Sequence, residues 1–472
     1  MIFSSFPFIF MFLPISLIGY FMIARKASFA VAKLWLVAVS LFFYGYWNWH
    51  YVPLILISCL VNFHLGVRLM PASGRDDARR KRELFAGIVL NLAVLGFFKY
   101  THFLVRNLEW ALSTRFDLME IVLPLAISFF TFQQIAYLVD SFRGTTRETE
   151  PVNYLLFVTF FPQLIAGPIV HHAEVIPQFE DESRRTLSWD HMSFGLYLFA
   201  IGLFKKVVIA DSLSLFVGLG FDSTAPISMF EAWITTLAFT LQLYFDFSGY
   251  TDMGLGAARM FNIELPQNFL SPYKSRNIQE FWRRWHITLS RWLMTYLYIP
   301  LGGSKAGHVM TLRNLMITFV LGGLWHGAGW TFVLWGVCHG AATVVHRIFS
   351  RAGHRLPFLP AWFITFLFAH LAWVLFRATS FSSALRLFKA MFGFSKAYSW
   401  EMFYHVHIFD RVLYLHILCI ALLAVLFLPN SRTLTERLRF SRANVWIIAG
   451  MLLLSFLFMN STTPKEFLYF DF

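Results

Sequence analysis

The sequence predicts an all-α integral membrane protein, with about a dozen transmembrane and re-entrant helices around a central channel. Three observations predict it. Of 472 residues, 57% are hydrophobic and only 14% charged, too little polar surface to cover a soluble globule. The apolar residues fall in runs long enough to cross a bilayer. Lysines and arginines gather in the short segments between those runs, as they do in cytoplasmic loops. That clustering accounts for the formal charge of +13, from 39 basic and 26 acidic residues. A nucleic-acid partner is therefore not needed to explain the charge, and the expected partner is the lipid bilayer.

The elements follow in order. The first apolar run is followed, not preceded, by its charges, Arg25 and Lys26. A cleavable signal has the reverse order, so this reads as an uncleaved first span with its N-terminus outside. Residues 34–49 return outward and 52–67 go back in. Next comes RLMPASGRDDARRKRE, the most basic loop and hence cytoplasmic. Residues 84–100 and 121–139 add two spans, the second ending at Arg143 and Arg147. Segment 153–170 contains FFPQLIAGPIV, whose Pro and Gly residues break a simple span. Runs 192–209 and 232–253 read as spans, the latter carrying the polar insert YFDFSGYTD. Residues 268–299 are too charged for a span and too aromatic for a free loop, which points to re-entrant backbone buried in protein. Residues 312–324 climb from the side marked by Arg313, and 445–459 exit after another basic loop. Both termini then lie outside the cytoplasm, and residues 1–472 form one membrane domain with an outer tail, 461–472.

Candidate chemistry concentrates in residues 280–339. His326 follows LGGLW deep in an apolar run, where a titratable group is costly and needs a partner, a cavity or a substrate path. Neutral imidazole there can act as a general base; equally, it can be a core side chain bonded to a carbonyl. Trp325 beside it and His339, on a Gly-flanked VCHG turn, read as packing or cavity lining. His286 lies among Arg283, Arg284 and Arg291. These guanidiniums, with Lys274, either anchor the lipid surface or attract a phosphorylated carrier such as coenzyme A or a phosphopantetheine arm. Asp246 and Asp252 are buried carboxylates in need of partners, and those arginines are the candidates. A metal site from Asp246, Asp252, His286 and His326 lacks any recognised ligand spacing, so no metal is expected. His171 and His172 read as interfacial residues. Cys59, Cys338 and Cys419, all in apolar runs, read as small buried residues. The chain ends KEFLYFDF, whose Tyr469 either dips into the cavity or belongs to an aromatic belt.

Several long motifs, in order, carry a resemblance: FPQLIAGPIVHHAEVIPQF, LQLYFDFSGYTDMGLG, NFLSPYKSRNIQEFWRRWHITLSRWL, LYIPLGG and LGGLWHGAGWTFVLWGVCHG. They resemble the membrane-bound O-acyltransferases, in the branch of bacterial polysaccharide O-acetyltransferases typified by the alginate acetylation protein. The resemblance implies transfer of an acetyl group from a cytoplasmic thioester, acetyl-CoA or an acyl carrier protein, through a membrane tunnel in the bacterial inner membrane. It implies no bound cofactor. It places His326 as the principal catalytic histidine and His286 as the second. Phe467, Tyr469 and Phe472 match an F-x-Y-x-x-F motif that, in a related D-alanylation system, offers a tyrosine as transient acyl acceptor. A periplasmic acetyltransferase would then serve alginate, cellulose or peptidoglycan. Two rival readings share the polar cavity and the histidine: a transporter of acyl donor or polysaccharide, and a scaffold for a polysaccharide synthase.

Overall fold

The computed structural model describes residues 1–395 except Met119, Ala166 and Ala306, together with Phe403 and residues 408–437, 442–461 and 467–468. Among them helices dominate and no strand forms. Seven helical stretches are long and apolar enough to cross a membrane: Phe8–Lys26, Trp49–Leu69, Asp77–Leu112, Trp189–Phe221, Trp330–Arg351, Phe358–Arg377 and Asp410–Phe427. They expose large apolar side chains such as Ile57, Leu60, Phe85, Phe97, Ile364 and Leu423, a surface suited to acyl chains and not to water. The chain is a multi-pass, all-α membrane protein. Its residues divide into two compact units, and helices α9 (Trp189–Phe204) and α11 (Met229–Met260) contribute to both.

The first unit, Met1–Ala200 with Tyr250–Gln267, holds α1 (Leu13–Lys26), α2 (Phe29–Gly45), α3 (Val52–Leu69), α4 (Asp77–Leu112), α5 (Ile127–Arg143), α6 (Pro151–Thr159), α7 (Phe161–Leu164) and α8 (His172–Glu180). Most of the basic loop expected at 68–83 is already helix. Asp76 caps α4 early, accepting from the Ala78 and Arg79 backbone N–H groups. Arg80 is buried because its guanidinium donates to the Leu69 and Phe142 carbonyls at 2.9 and 2.7 Å. It thereby satisfies the open C-terminal ends of α3 and α5. The span expected at 121–139 becomes helical only at Ile127 and stops where Gly144 adopts φ +74°. Segment 153–170 breaks at Phe160, as its prolines dictate. Polar residues bind α3, α4 and α5 together: Asn91 Nδ2 donates to Asn62 Oδ1 at 2.6 Å, and Ser58 Oγ to Gln134 Oε1 at 2.8 Å. His172 is buried between Thr146 (2.9 Å) and Glu148 (3.2 Å). It is a buried group of the first unit.

The second unit is Ile201–Gly249 with Asn268–Phe472. The run expected to end at 209 instead continues through a π-turn, Lys205–Ala210, into α10 (Asp211–Phe221). It passes Asp211 because Lys206 neutralises that carboxylate at 2.6 Å. Residues 268–299 form only short pieces, α12 (Ile278–Trp282) and α13 (Ile287–Leu293) followed by a π-turn. Then come α14 (His308–His326), α15 (Trp330–Arg351), α16 (Phe358–Arg377), α17 (Phe381–Met391), α18 (Ile408–Phe427), α19 (Ser431–Arg437) and α20 (Arg442–Ser461). Of the cysteines, Cys59 is buried as expected, Cys338 is half-buried, and Cys419 is exposed on α18.

Helices α14 and α15 form a hairpin in backbone contact. A Cβ on Gly323 would lie 2.4 Å from the Phe332 carbonyl oxygen, and one on Gly336 2.5 Å from that of Phe319. Both distances are impossible without parting the helices. Gly336→Ala is therefore expected to destabilise the fold by about 1–3 kcal/mol. Gly450→Ala, mid-helix in α20 with open space around it, should stabilise by roughly 0.5–1 kcal/mol. Thermal unfolding of the two variants in detergent, run side by side, tests the contrast.

Candidate functional site

The hairpin and the short helices of the second unit bring together the histidines singled out from sequence. His326 is the last residue of α14 and 3% exposed. Its ring meets Trp325, Trp335 and Phe376 edge-on, with centroids 5.0–5.3 Å apart. His286 caps the N-terminus of α13 and is fully buried. The two imidazole centroids are 6.4 Å apart.

Asn268 fixes His286. Its Oδ1 accepts the Thr288 backbone N–H at 3.3 Å and the Thr288 hydroxyl at 2.9 Å, which identifies that atom as the oxygen. His286 Nδ1 lies 3.1 Å from the same oxygen. Nδ1 is thus assigned the proton, and Nε2 of the neutral ring is an acceptor. The opposite tautomer holds at His339: Trp282 Nε1–H donates to its Nδ1 at 3.2 Å, so the proton is assigned to Nε2. His339 is fully buried among Trp335, Phe368 and Trp282, at 4.5, 5.1 and 5.1 Å between centroids. It supports the aromatic wall beside His326. Trp325 is 6% exposed and stands against His326.

Asp246 is buried in α11, but its ion-pair partner is not an arginine. Lys206 Nζ lies 2.7 Å from it, and 2.6 Å from Asp211. Arg284 pairs with Glu280 at 2.7 Å and reaches the Leu270 carbonyl. Lys274 donates to the Leu428 carbonyl at 2.6 Å, while Arg283 is exposed. Burial works to raise the Glu280 carboxyl, yet the Arg276 backbone N–H and the Arg284 charge outweigh it and hold the group below its ordinary value. Asp252 is half-buried on α11, in the first unit. Tyr469 lies outside the described residues.

Sequence reasoning missed three features. Lys206 was legible as a lysine inside an apolar run, a position that demands a partner. Asn268 had no signal of its own. The third is a 360 Å³ cavity lined by Arg276, Asn277, His346, Ser350, His354 and Arg355. A 270 Å³ apolar neck shares Arg276, Asn277 and His346 with it, and continues past Ala342, Thr365 and Phe368. Phe368, one of the residues of the neck, also packs against His339 at 5.1 Å between centroids.

A model of the membrane-bound O-acyltransferase family matches residues 146–388. A protein of Helicobacter pylori designated peptidoglycan O-acetyltransferase is 42% identical, with all of this chain and 98% of the relative aligned. Proteins of Pseudomonas aeruginosa and Pseudomonas putida, each designated a probable alginate O-acetylase, AlgI, are both 40% identical. Each aligns with 85% of this chain, and with 76% and 82% of their own lengths respectively.

Proposed function

The chain belongs to the membrane-bound O-acyltransferase family and is an O-acyltransferase, and on that premise we propose that it moves acetyl groups from a cytoplasmic thioester, acetyl-CoA, to an extracytoplasmic polysaccharide. The observation that carries this reading is the neighbouring pair His286 and His326, both buried, with a basic cavity and an apolar neck in the same unit. The peptidoglycan relative aligns over the whole chain and the alginate relatives over 85% of it, which favours peptidoglycan as the acceptor polymer.

The donor's phosphates dock at Arg276, His354 and Arg355, with exposed Arg283 on the same basic segment. Its arm follows the neck towards Phe368. His346 and Trp335 are eleven residues apart on α15, about 16 Å by helical rise, a span suited to an extended pantetheine arm. The acceptor is the Tyr469 hydroxyl, entering from the opposite side. A phenol of ordinary pKa, about 10, needs a base at neutral pH. His286 Nε2, an acceptor in the neutral ring, receives the hydroxyl on approach. That tautomer suits it to this role and not to donating to an oxyanion. His326 takes the proton as the phenolic oxygen attacks the thioester carbonyl carbon. The C–S bond breaks, and the proton passes from His326 to the departing thiolate. The acetyl ester on Tyr469 is then handed to an extracytoplasmic transferase.

Incubation of the purified protein with acetyl-labelled CoA tests the reading. Release of free CoA or transfer of label to the chain supports it. A transporter or scaffold would do neither. For the mouth, Arg355→Glu should raise KM for acetyl-CoA about tenfold, the weight of one charge-assisted hydrogen bond, with kcat nearly unchanged. Unaltered KM would remove the phosphates from this cavity.

A further inference from the structure

Asp246 belongs to a buried ion cluster. Lys206 contacts two carboxylates, Asp246 at 2.7 Å and Asp211 at 2.6 Å. Asp246 divides its oxygens. Oδ1 faces Lys206, while Oδ2 accepts the backbone N–H of Leu468 at 3.0 Å. The next residue of α11, Phe247, takes the ring that precedes that amide. Phe467 is 1% exposed, with its centroid 5.4 Å from Phe247. Phe247 in turn stands perpendicular to His286 at 4.8 Å.

Two neighbours on one helix therefore hold two neighbours of the C-terminal segment, one by charge and one by a ring. The held ring touches the wall of the histidine site. We propose that Asp246, ion-paired with Lys206, is a positioning residue that clamps the C-terminal segment at Leu468 and delivers the residue after it, Tyr469, to the histidine pair. A carboxylate suits this task better than an amide or a carbonyl, since a hydrogen bond to a charged acceptor is about twice as strong as a neutral one. The contact is to backbone, so it fixes chain position whatever side chain residue 468 carries. The inference rests on the reading of Tyr469 as acyl acceptor.

The test uses the full-length protein in detergent or nanodiscs. Hydrogen exchange read by mass spectrometry should show the Leu468 amide slowed roughly tenfold or more relative to an unprotected amide. Asp246→Leu leaves Lys206 paired with Asp211 and removes the acceptor, so protection should vanish while Tm is retained. Tyr469→Phe should leave protection intact. For activity, Leu468→Pro deletes the donor in a tail segment outside the helical core. It should lose roughly ten- to hundredfold in acetyl transfer, whereas Leu468→Ala, which keeps the N–H, stays within about twofold. An unprotected amide in the native protein, or Leu468→Pro as active as Leu468→Ala, overturns the clamp. If Leu468→Pro is active and Tyr469→Phe inactive, the clamp fails and the acceptor reading stands. Full activity in Tyr469→Phe with the amide still protected removes the acceptor reading and, with it, the positioning role.

Discussion

His326→Ala is expected to reduce acetyl transfer by about 10²–10⁴-fold, the usual contribution of a general base, while the protein remains folded in the membrane. Fold retention is expected because the ring closes no helix. His326 ends α14, and the α14–α15 hairpin is held by glycine contacts at Gly323 and Gly336. The measurement is CoA release per mole of purified protein, with Tm recorded alongside. Transfer at the native rate would remove His326 from the chemistry and leave it as packing against Trp335 and Phe376. His286→Ala should also lose activity, but with a further sign. It strips Asn268 of one of its partners, so Tm should fall as well.

Tyr469→Phe is the second large effect. The substitution keeps the ring and deletes one oxygen, so any loss belongs to the hydroxyl. Acetylation of polysaccharide is expected to fall to background, and the acetyl adduct on the chain, detectable by intact mass after donor is added, should disappear. Slow release of CoA to water is expected to persist, because His326 and the donor cavity are untouched. A variant that acetylates polysaccharide at the native rate would reduce Tyr469 to an aromatic anchor.

Much of this was legible because membrane crossing is written in local composition. Apolar runs and their basic flanks marked both ends of α3 and α20, and the end of α1, to within a few residues. The low charge of residues 84–100 did not reveal that α4 begins at Asp77, since that start depends on the Asp76 cap and on Arg80 finding two carbonyls. The histidines were visible as costly groups in apolar surroundings, yet their partnership was not. His286 and His326 are forty positions apart, and only the fold makes them neighbours. Arginines seemed the natural partners of Asp246 because they are numerous nearby in sequence. Lys206 won because a long α9–α10 helix carries it past both Asp211 and Asp246, whereas Arg284 is held by Glu280 across one helical turn. The basic cavity was equally hidden, since its lining comes from residues 276–277, from the end of α15, from the turn after it and from the start of α16.

One feature of His286 reaches beyond its hydrogen bond. Its backbone lies in the left-handed region, φ +42°, which costs a residue with a side chain about 1–2 kcal/mol. The Ile287 amide bonded to the Asn268 carbonyl at 3.0 Å, and Asn268 Oδ1 gripping Thr288 and the imidazole, hold it there. Orienting the imidazole is thus completed when the chain folds. In the mechanism proposed above, the ring then has little freedom left to lose at the transition state, and the barrier would reflect proton and bond movement and not the search of a ring for its direction.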